Sequence, residues 1–587
     1  MQKAGIVICC KMIPGGRRRG YAFIRIIFVI LAVTSIQFSR LMGQEQEKRT
    51  PEERKLDLPI SEQDSLEKSE KSQLPKIDLP EYVITGQAII DLPMGEKRAI
   101  PDDSESSALA LLLNSPLSRT RTTAQSSIPS KEEMQSDQTS AFNGKAFGSL
   151  GTFFSSHAGL WFGQGFENYV YSANGEYYRT KGFAPYTDRS GGNLGAEGST
   201  KLTSYNPWFD QSTIGGQVSY RTDTYNWYGT RTPTNSRNRT DLAIEFGLSN
   251  WARRVLPYEA DLGLESFQVT DSANSVVETQ VTLSGSSRIE AFSVPLNVRI
   301  DARLGSVAYG FSSSPFSYVD LQAGSKRYAW NKFTLEGSLH AYIADGMDSQ
   351  TIFRIYPHLA VEYQLSEQSA LSASYEPQVK AASLSSQIFA NRYVSGESIM
   401  RHTDDQQDAT LALETDWSGN TRTRFAVSVQ SMLDYPLYAD SLNQGVWFLA
   451  YGGRSTITSF SAEVFAKLAA NDYFAGTLTA RVSRNSLTGS DIPYLPHFEV
   501  GASYTRQIFG QWTGIARLTL IHQRNDNVVR INTMPSILLI GLRCEYQFFR
   551  QATAFLDIQN LLSQQYEYWR GYQESPFVLS AGIALRW

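Results

Sequence analysis

From about residue 143 to residue 587 the chain alternates apolar and polar side chains with a period of two, interrupted roughly every ten to fifteen residues by turn chemistry. In the last such segment Phe577, Leu579, Ala581, Ile583, Leu585 and Trp587 share one face, and Ser580, Gly582, Ala584 and Arg586 the other. Around residue 540, Leu538, Ile540, Leu542, Cys544, Tyr546 and Phe548 oppose Arg543, Glu545 and Gln547. Phe353, Ile355, Pro357, Leu359, Val361 and Tyr363 likewise oppose Arg354, His358, Glu362 and Gln364. A period of two puts successive side chains on opposite faces of a strand, so the expected fold is all-β, with one apolar and one polar face.

Alternation alone also suits a soluble β sandwich, whose apolar face is its core. Three features favour a transmembrane antiparallel β-barrel. Short turns, such as Gly163-Gln164-Gly165, Trp417-Ser418-Gly419-Asn420, Ala469-Ala470-Asn471-Asp472, Phe509-Gly510 and Phe549-Arg550-Gln551, alternate with longer polar loops, which gathers the short turns at one end. Aromatics such as Tyr169, Phe474, Phe548 and Trp587 mark strand ends, as in membrane-interface girdles. The chain also ends on an aromatic residue inside an alternating strand.

Composition agrees: aromatic residues make up 12% and charged residues 19%, a balance suited to strands and an interface-anchoring surface. Past residue 40 no run of about 18 apolar residues occurs, which excludes helical spans but not strand spans. Segments of membrane-strand length number about 22, within a range of about 20 to 24, the ambiguous stretches being 144–163 and 446–468. The net charge of −4 lacks the basic face that a nucleic-acid partner requires.

The segment before residue 143 has a different texture. Arg17, Arg18 and Arg19 precede an apolar stretch at 26–36, and Gly43 offers a cleavage position, so residues 1–43 read as a signal peptide. Residues 44–80 carry 17 charged side chains in 37 positions and four prolines, a disordered linker. At 81–86 stands the strand-like hexamer E-Y-V-I-T-G, with Glu81, Tyr82, Val83, Ile84, Thr85 and Gly86 suited to pairing with a partner's sheet edge. Residues 87–142 are of low complexity, with one apolar patch at 108–113 that reads either as a short helix tucked against the barrel or as a loop. Only Cys544 would remain in an exported chain, so an intramolecular disulfide is excluded.

Arg354, Glu362, Arg481, Arg517, Arg543, Glu545 and Arg586 fall on the polar face and are candidate lumen-lining residues. The aromatic runs Y-N-W-Y at 225–228 and Y-E-Y-W-R-G-Y at 566–572 are candidates for stacking on a ligand, with a membrane-interface position the favoured alternative. Arg401, His402, Thr403, Asp404 and Asp405 carry acid–base side chains but are contiguous in a polar stretch, the pattern of a solvated loop. No nucleophile elbow, phosphate-binding glycine loop or zinc-helix motif occurs; no catalytic, cofactor or metal residue is expected and the chain is not read as an enzyme.

Several pieces, in their order, resemble the barrel of the TonB-dependent receptors: F-G-S-L-G-T-F at 147–153, Y-V-Y-S-A-N-G-E-Y-Y-R at 169–179, the long hairpin at 355–375, V-K-A-A-S-L at 379–384, I-P-Y-L-P-H-F at 492–498 and F-L-D-I-Q-N-L-L-S-Q-Q-Y at 555–566. The resemblance implies an outer-membrane location, uptake of a scarce ligand such as a metal chelate, vitamin or glycan, and a periplasm-spanning coupling protein as partner. It also implies that residues 81–86 serve as the coupling box, and that the terminal face from Phe577 to Trp587 is read by barrel-assembly machinery. The family's lumen-filling plug has no recognisable counterpart: fewer than 60 residues separate Gly86 from the barrel, leaving 87–142 as a candidate reduced plug. The alternative reading is a non-transporting outer-membrane scaffold whose N-terminal tail binds an envelope partner.

Overall fold

The computed structural model describes residues 144–587, apart from 167, 207, 251–255, 272–273, 292–293, 326–327, 349, 418–419, 441–442, 470 and 529–531. The expected signal peptide at 1–43, the expected linker at 44–80, the hexamer at 81–86 and the segment 87–142 lie outside the described residues.

The alternating segments form one antiparallel sheet that closes into a barrel of 22 strands. Two wall positions are broken. Ser312–Ser325 and Tyr328–Trp330 both pair with Phe333–Asp345, and Ser369–Tyr375 and Gln378–Lys380 both pair with Thr403–Asp416. The barrel closes where Gly144–Gly151 pairs with Val578–Arg586, Lys145 opposite Arg586 and Gly151 opposite Ser580. Gly144 and Trp587 exchange backbone N–H···O bonds of 2.9 and 3.1 Å. Closure matters because a sheet edge in hydrocarbon would leave its N–H and C=O groups without partners. At this seam a Cβ on Gly144 would lie 2.6 Å from the Trp587 indole, so the terminal tryptophan packs where only glycine leaves room.

The ambiguous stretches resolve simply. Residues 144–163 hold two strands, Gly144–Gly151 and Ser155–Gly165. Gly163-Gln164-Gly165 is therefore strand rather than turn, and the reversal falls at 166–168. In the second stretch Arg454–Ala469 is a wall strand, whereas Phe448–Ala450 pairs with Leu437–Ala439 in a separate hairpin.

The apolar parity of each strand faces outward. From Thr351 to Glu362 exposure alternates strictly, with Phe353 at 56% and Ile355 at 54%. In the final strand Ile583, Leu585 and the adjoining Trp587 are exposed. A soluble protein would not leave so continuous an apolar band in water, whereas lipid covers it without cost. Short reversals at 417–420, 470–471, 510–511 and 550–551 share one end of the barrel, and the longest connections, 376–402, 434–453, 486–497, 523–536 and 560–577, share the other.

Candidate functional site

The inward parity is polar, and much of it is paired side chain to side chain. Arg354 reaches Asp404 at 2.9 Å, Arg481 meets Glu499 at 3.0 Å, Arg543 meets Glu545 at 2.6 Å and Arg517 lies 3.6 Å from Asp557. Glu362 and Arg586 occupy the same inward parity, each half-buried. These seven sequence-selected positions are spread around the wall and do not converge on one site.

Toward the long-loop end the inward parity changes character. Phe267, Val269, Val276, Val307 and Phe316 face inward and are almost wholly buried. They are covered by the connection 376–402, which turns in against the wall through the helix Leu384–Ala390. The helix starts because Ser383, in extended conformation, accepts the Ser386 N–H at 3.2 Å. Leu384 and Ile388 then share one face at a spacing of four and are fully buried. From the wall, the Glu278 carboxylate accepts the N–H groups of Leu384 at 2.9 Å and Ser385 at 2.8 Å, satisfying two amides that the helix itself cannot.

A second fastening is Arg237, which has no exposed side-chain surface. It binds Asp271 through two bonds of 2.6 and 2.8 Å and donates to the carbonyls of Arg392 at 2.9 Å and Val394 at 2.7 Å. Its guanidinium stacks 4.2 Å from the Trp227 ring. Beside it the buried Asp223 collects Arg189 at 2.8 Å, Arg239 at 3.2 Å and the Tyr178 hydroxyl at 2.6 Å. Phe389 of the helix lies under the guanidinium groups of Arg239 and Arg221, at 4.3 and 5.2 Å.

Aromatic side chains join the long loops to one another. Tyr393 stacks on Tyr572 at 3.6 Å, Trp447 meets Trp569 at 5.6 Å, and Tyr494 packs on Trp569 at 4.2 Å. Polar ends are satisfied within the same body: Tyr572 donates to the Gly445 carbonyl at 2.7 Å, Tyr228 to that of Gln573 at 2.9 Å, and the Trp447 indole to the Tyr494 hydroxyl at 3.1 Å. Loops rooted on separate parts of the wall thus form one packed cap. In the loop 560–577 burial pushes the Glu574 carboxyl up to about 7, with Arg392 and Arg189 pulling the other way.

Two sequence expectations change here. The aromatic runs at 225–228 and 566–572 sit neither at the membrane interface nor exposed for stacking: Tyr225, Trp227, Trp569 and Tyr572 are core residues of the cap. The cluster from Arg401 to Asp405 is not a solvated loop, for His402, Thr403, Asp404 and Asp405 are all buried where the cap rejoins the wall. Asp404 pairs with Arg354 and Asp405 with Lys380, just before a register shift between Asp405 and Gln407. Sequence reasoning passed over Glu278, Arg237 and Asp223. The available signal was apolar side chains on the polar parity at strand ends, as in F-Q-V at 267–269. Among the described residues no group of three or more His, Cys, Asp or Glu side chains is placed to hold a metal ion.

No family model and no curated protein matches the sequence. Solved structures do match, at low identity. The FrpB iron transporter from Neisseria meningitidis superposes with a TM-score of 0.61 at 10% identity, over 76% of this chain and 81% of that one. The copper transporter OprC gives 0.59 at 13% identity, over 76% and 80%. A ferric enterobactin receptor mutant from Pseudomonas aeruginosa, in complex with enterobactin, gives 0.59 at 11% identity, over 76% and 81%. Identities this low carry the architecture alone, and the architecture is consistent: within residues 144–587 the chain has the barrel fold of the TonB-dependent receptors.

Proposed function

We propose that the protein is an outer-membrane passage for a small ligand, with the cap of long loops as its outer closure. The observation that carries this reading is the cap itself, a packed body seated on a wide barrel whose polar wall lies beneath it. The similar barrels include an iron transporter, a copper transporter and a ferric enterobactin receptor, which favours uptake of a metal chelate or comparably scarce compound. The hexamer at 81–86 is the proposed contact for a periplasm-spanning coupling protein, acting by strand addition, and 87–142 the proposed inner obstruction. The terminal face from Phe577 to Trp587 is the proposed assembly signal. Planar-bilayer recordings test the passage: the purified barrel should conduct, and deleting 87–142 should raise the conductance. Negligible conductance in both forms sinks the passage.

A second reading is a non-transporting scaffold whose N-terminal tail recruits an envelope partner. The full burial of Arg237 among cap carbonyls favours it, because such a fastening suits a permanent closure. Pull-down with residues 44–142 discriminates: a partner lost when 81–86 are deleted supports coupling or recruitment, and no partner in either form removes the scaffold.

A further inference from the structure

The connection 376–402 is tied at its two ends by histidines. At its start His358 Nε2 lies 2.7 Å from the Pro377 carbonyl, with the His358 ring stacked on His340 at 3.7 Å. At its end His402 is 2% exposed and makes two bonds of opposite sense. Its Nδ1 accepts the Ala382 N–H at 3.1 Å, and its Nε2 faces the Asp345 carbonyl at 3.1 Å. A backbone N–H can only donate, so Nδ1 must be bare and Nε2 must carry the proton. This pair of bonds requires neutral imidazole. Protonation puts an N–H on Nδ1, directly against the Ala382 N–H, two residues before the helix that seats on Glu278 and the inner wall.

We propose that His402 is an acid-sensitive latch: protonating it detaches Ala382, releases the inserted connection 376–402 from the wall and opens the cap. The proposal rests on the reading of the barrel as a passage only for the consequence of opening, not for the release itself.

The surroundings support this direction. Burial holds the His402 ring below the usual imidazole range. The groups facing it are Asp345 and the Ser317 carbonyl, which favour the charged ring, and Arg303, which opposes it. The Tyr318 ring packs at 6.1 Å. Asp345 is engaged by the Ser317 and Thr351 hydroxyls at 3.1 and 2.5 Å and leaves its backbone carbonyl to the imidazole. A histidine whose value is depressed in the latched state stabilises that state above its free value, and loses this contribution as the pH falls.

Hydrogen–deuterium exchange of the detergent-solubilised full chain reads release directly. After correction for intrinsic rates, exchange in 376–402 should rise at least about tenfold between about pH 7.5 and about pH 5. His402→Gln keeps one donor and one acceptor but does not titrate, and should stay protected at both; His402→Ala should exchange fast at both. Equal protection of the unaltered chain at the two pH values, or the same acid response in His402→Gln, overturns the latch.

A tether adds a second control. A Cβ on Gly396 would lie 3.4 Å from Val276 Cβ, close to disulfide separation, so Val276→Cys with Gly396→Cys, in a Cys544→Ser background, should lock the connection when oxidised. Acid-induced conductance lost on oxidation and restored by reductant supports release as the opening step. If exchange rises in acid while even His402→Ala lacking residues 87–142 conducts nothing, the latch stands and the passage reading falls.

Discussion

The barrel wall and the cap are held by different chemistry. The wall is a continuous antiparallel ladder from Gly144 to Arg586, closed by its own backbone bonds, and in lipid those bonds have no solvent competitor. The cap has almost no ladder. Beyond the hairpins Leu437–Ala439 with Phe448–Ala450 and Arg524–Asn525 with Thr533–Met534, and isolated backbone bonds between loops such as Ser395 N–H to the Trp447 carbonyl and Tyr494 N–H to the Asn525 carbonyl, it is joined by stacked rings and by side chains reaching backbone carbonyls. A single substitution on the outward face of the wall is therefore absorbed, whereas one in the cap is felt across it. Outward apolar positions of the wall need only suit lipid, whereas each cap residue has particular partners.

Arg237→Ala gives the largest expected separation of the two regions. It leaves Asp271 with the Trp227 indole N–H and partial solvent, and uncovers the carbonyls of Arg392 and Val394, at a cost of about 3 kcal/mol, the low end of the range for removing one partner of a buried ion pair because Asp271 is partly exposed. Exchange protection should vanish in 227–235 and 376–402 while the barrel keeps its heat-modifiable mobility on a detergent gel. If barrel and cap are lost together, they are one cooperative unit and the contrast fails.

Legibility followed the same division. The wall was readable because a period of two is imposed by the strand and a two-sided environment, and neither depends on distant partners. The approximate strand number and the shared face of Phe353, Ile355 and Leu359 came from that pattern, and the outward facing from turn lengths, aromatic strand ends and the aromatic terminus. The cap was not readable because its partners lie far apart in the chain: Arg237 is fastened to Val394, and Tyr228 to Gln573. Aromatics at 225–228 and 566–572 looked like interface anchors because composition cannot tell a ring facing lipid from one facing another loop. The polar run at 401–405 looked solvated for the same reason. What the sequence did contain, unused, was the apolar side chain on the lumen parity, as at Phe267 and Val307, where a polar wall has no need of one.

Gly144→Val attacks the wall at its weakest point, the seam. The added side chain must displace the Trp587 indole, an overpacking cost of about 1–3 kcal/mol. Folding yield of the barrel should fall and its gel mobility should convert at lower temperature, while exchange within 376–402 stays unchanged in the fraction that folds. Loss of cap protection in that fraction would show that strain travels from seam to loops.

Tyr572→Phe should act only on the cap. It keeps the ring stacked on Tyr393 but removes the bond to the Gly445 carbonyl, worth about 0.5–1.5 kcal/mol. Exchange should quicken modestly in 434–453 and 560–577. A change larger than that of Arg237→Ala would mean the hydroxyl, rather than the buried guanidinium, organises the loops.

Glu574 should give a pH response opposite in sign to that of His402. Burial raises the Glu574 carboxyl from its ordinary value of 4.5 to about 7, so the closed cap favours the neutral acid. Between those values the closed form binds more protons than a form with Glu574 in water, and its stability falls as the pH rises through this window. Acid should therefore tighten 566–577 while it loosens 376–402, and Glu574→Gln should flatten the first response without altering the second. Both segments share the Tyr393–Tyr572 stack, so the two titrations meet at one contact. If both segments loosen together in acid, His402 dominates and the cap moves as one body; if they diverge, the stack is where it parts.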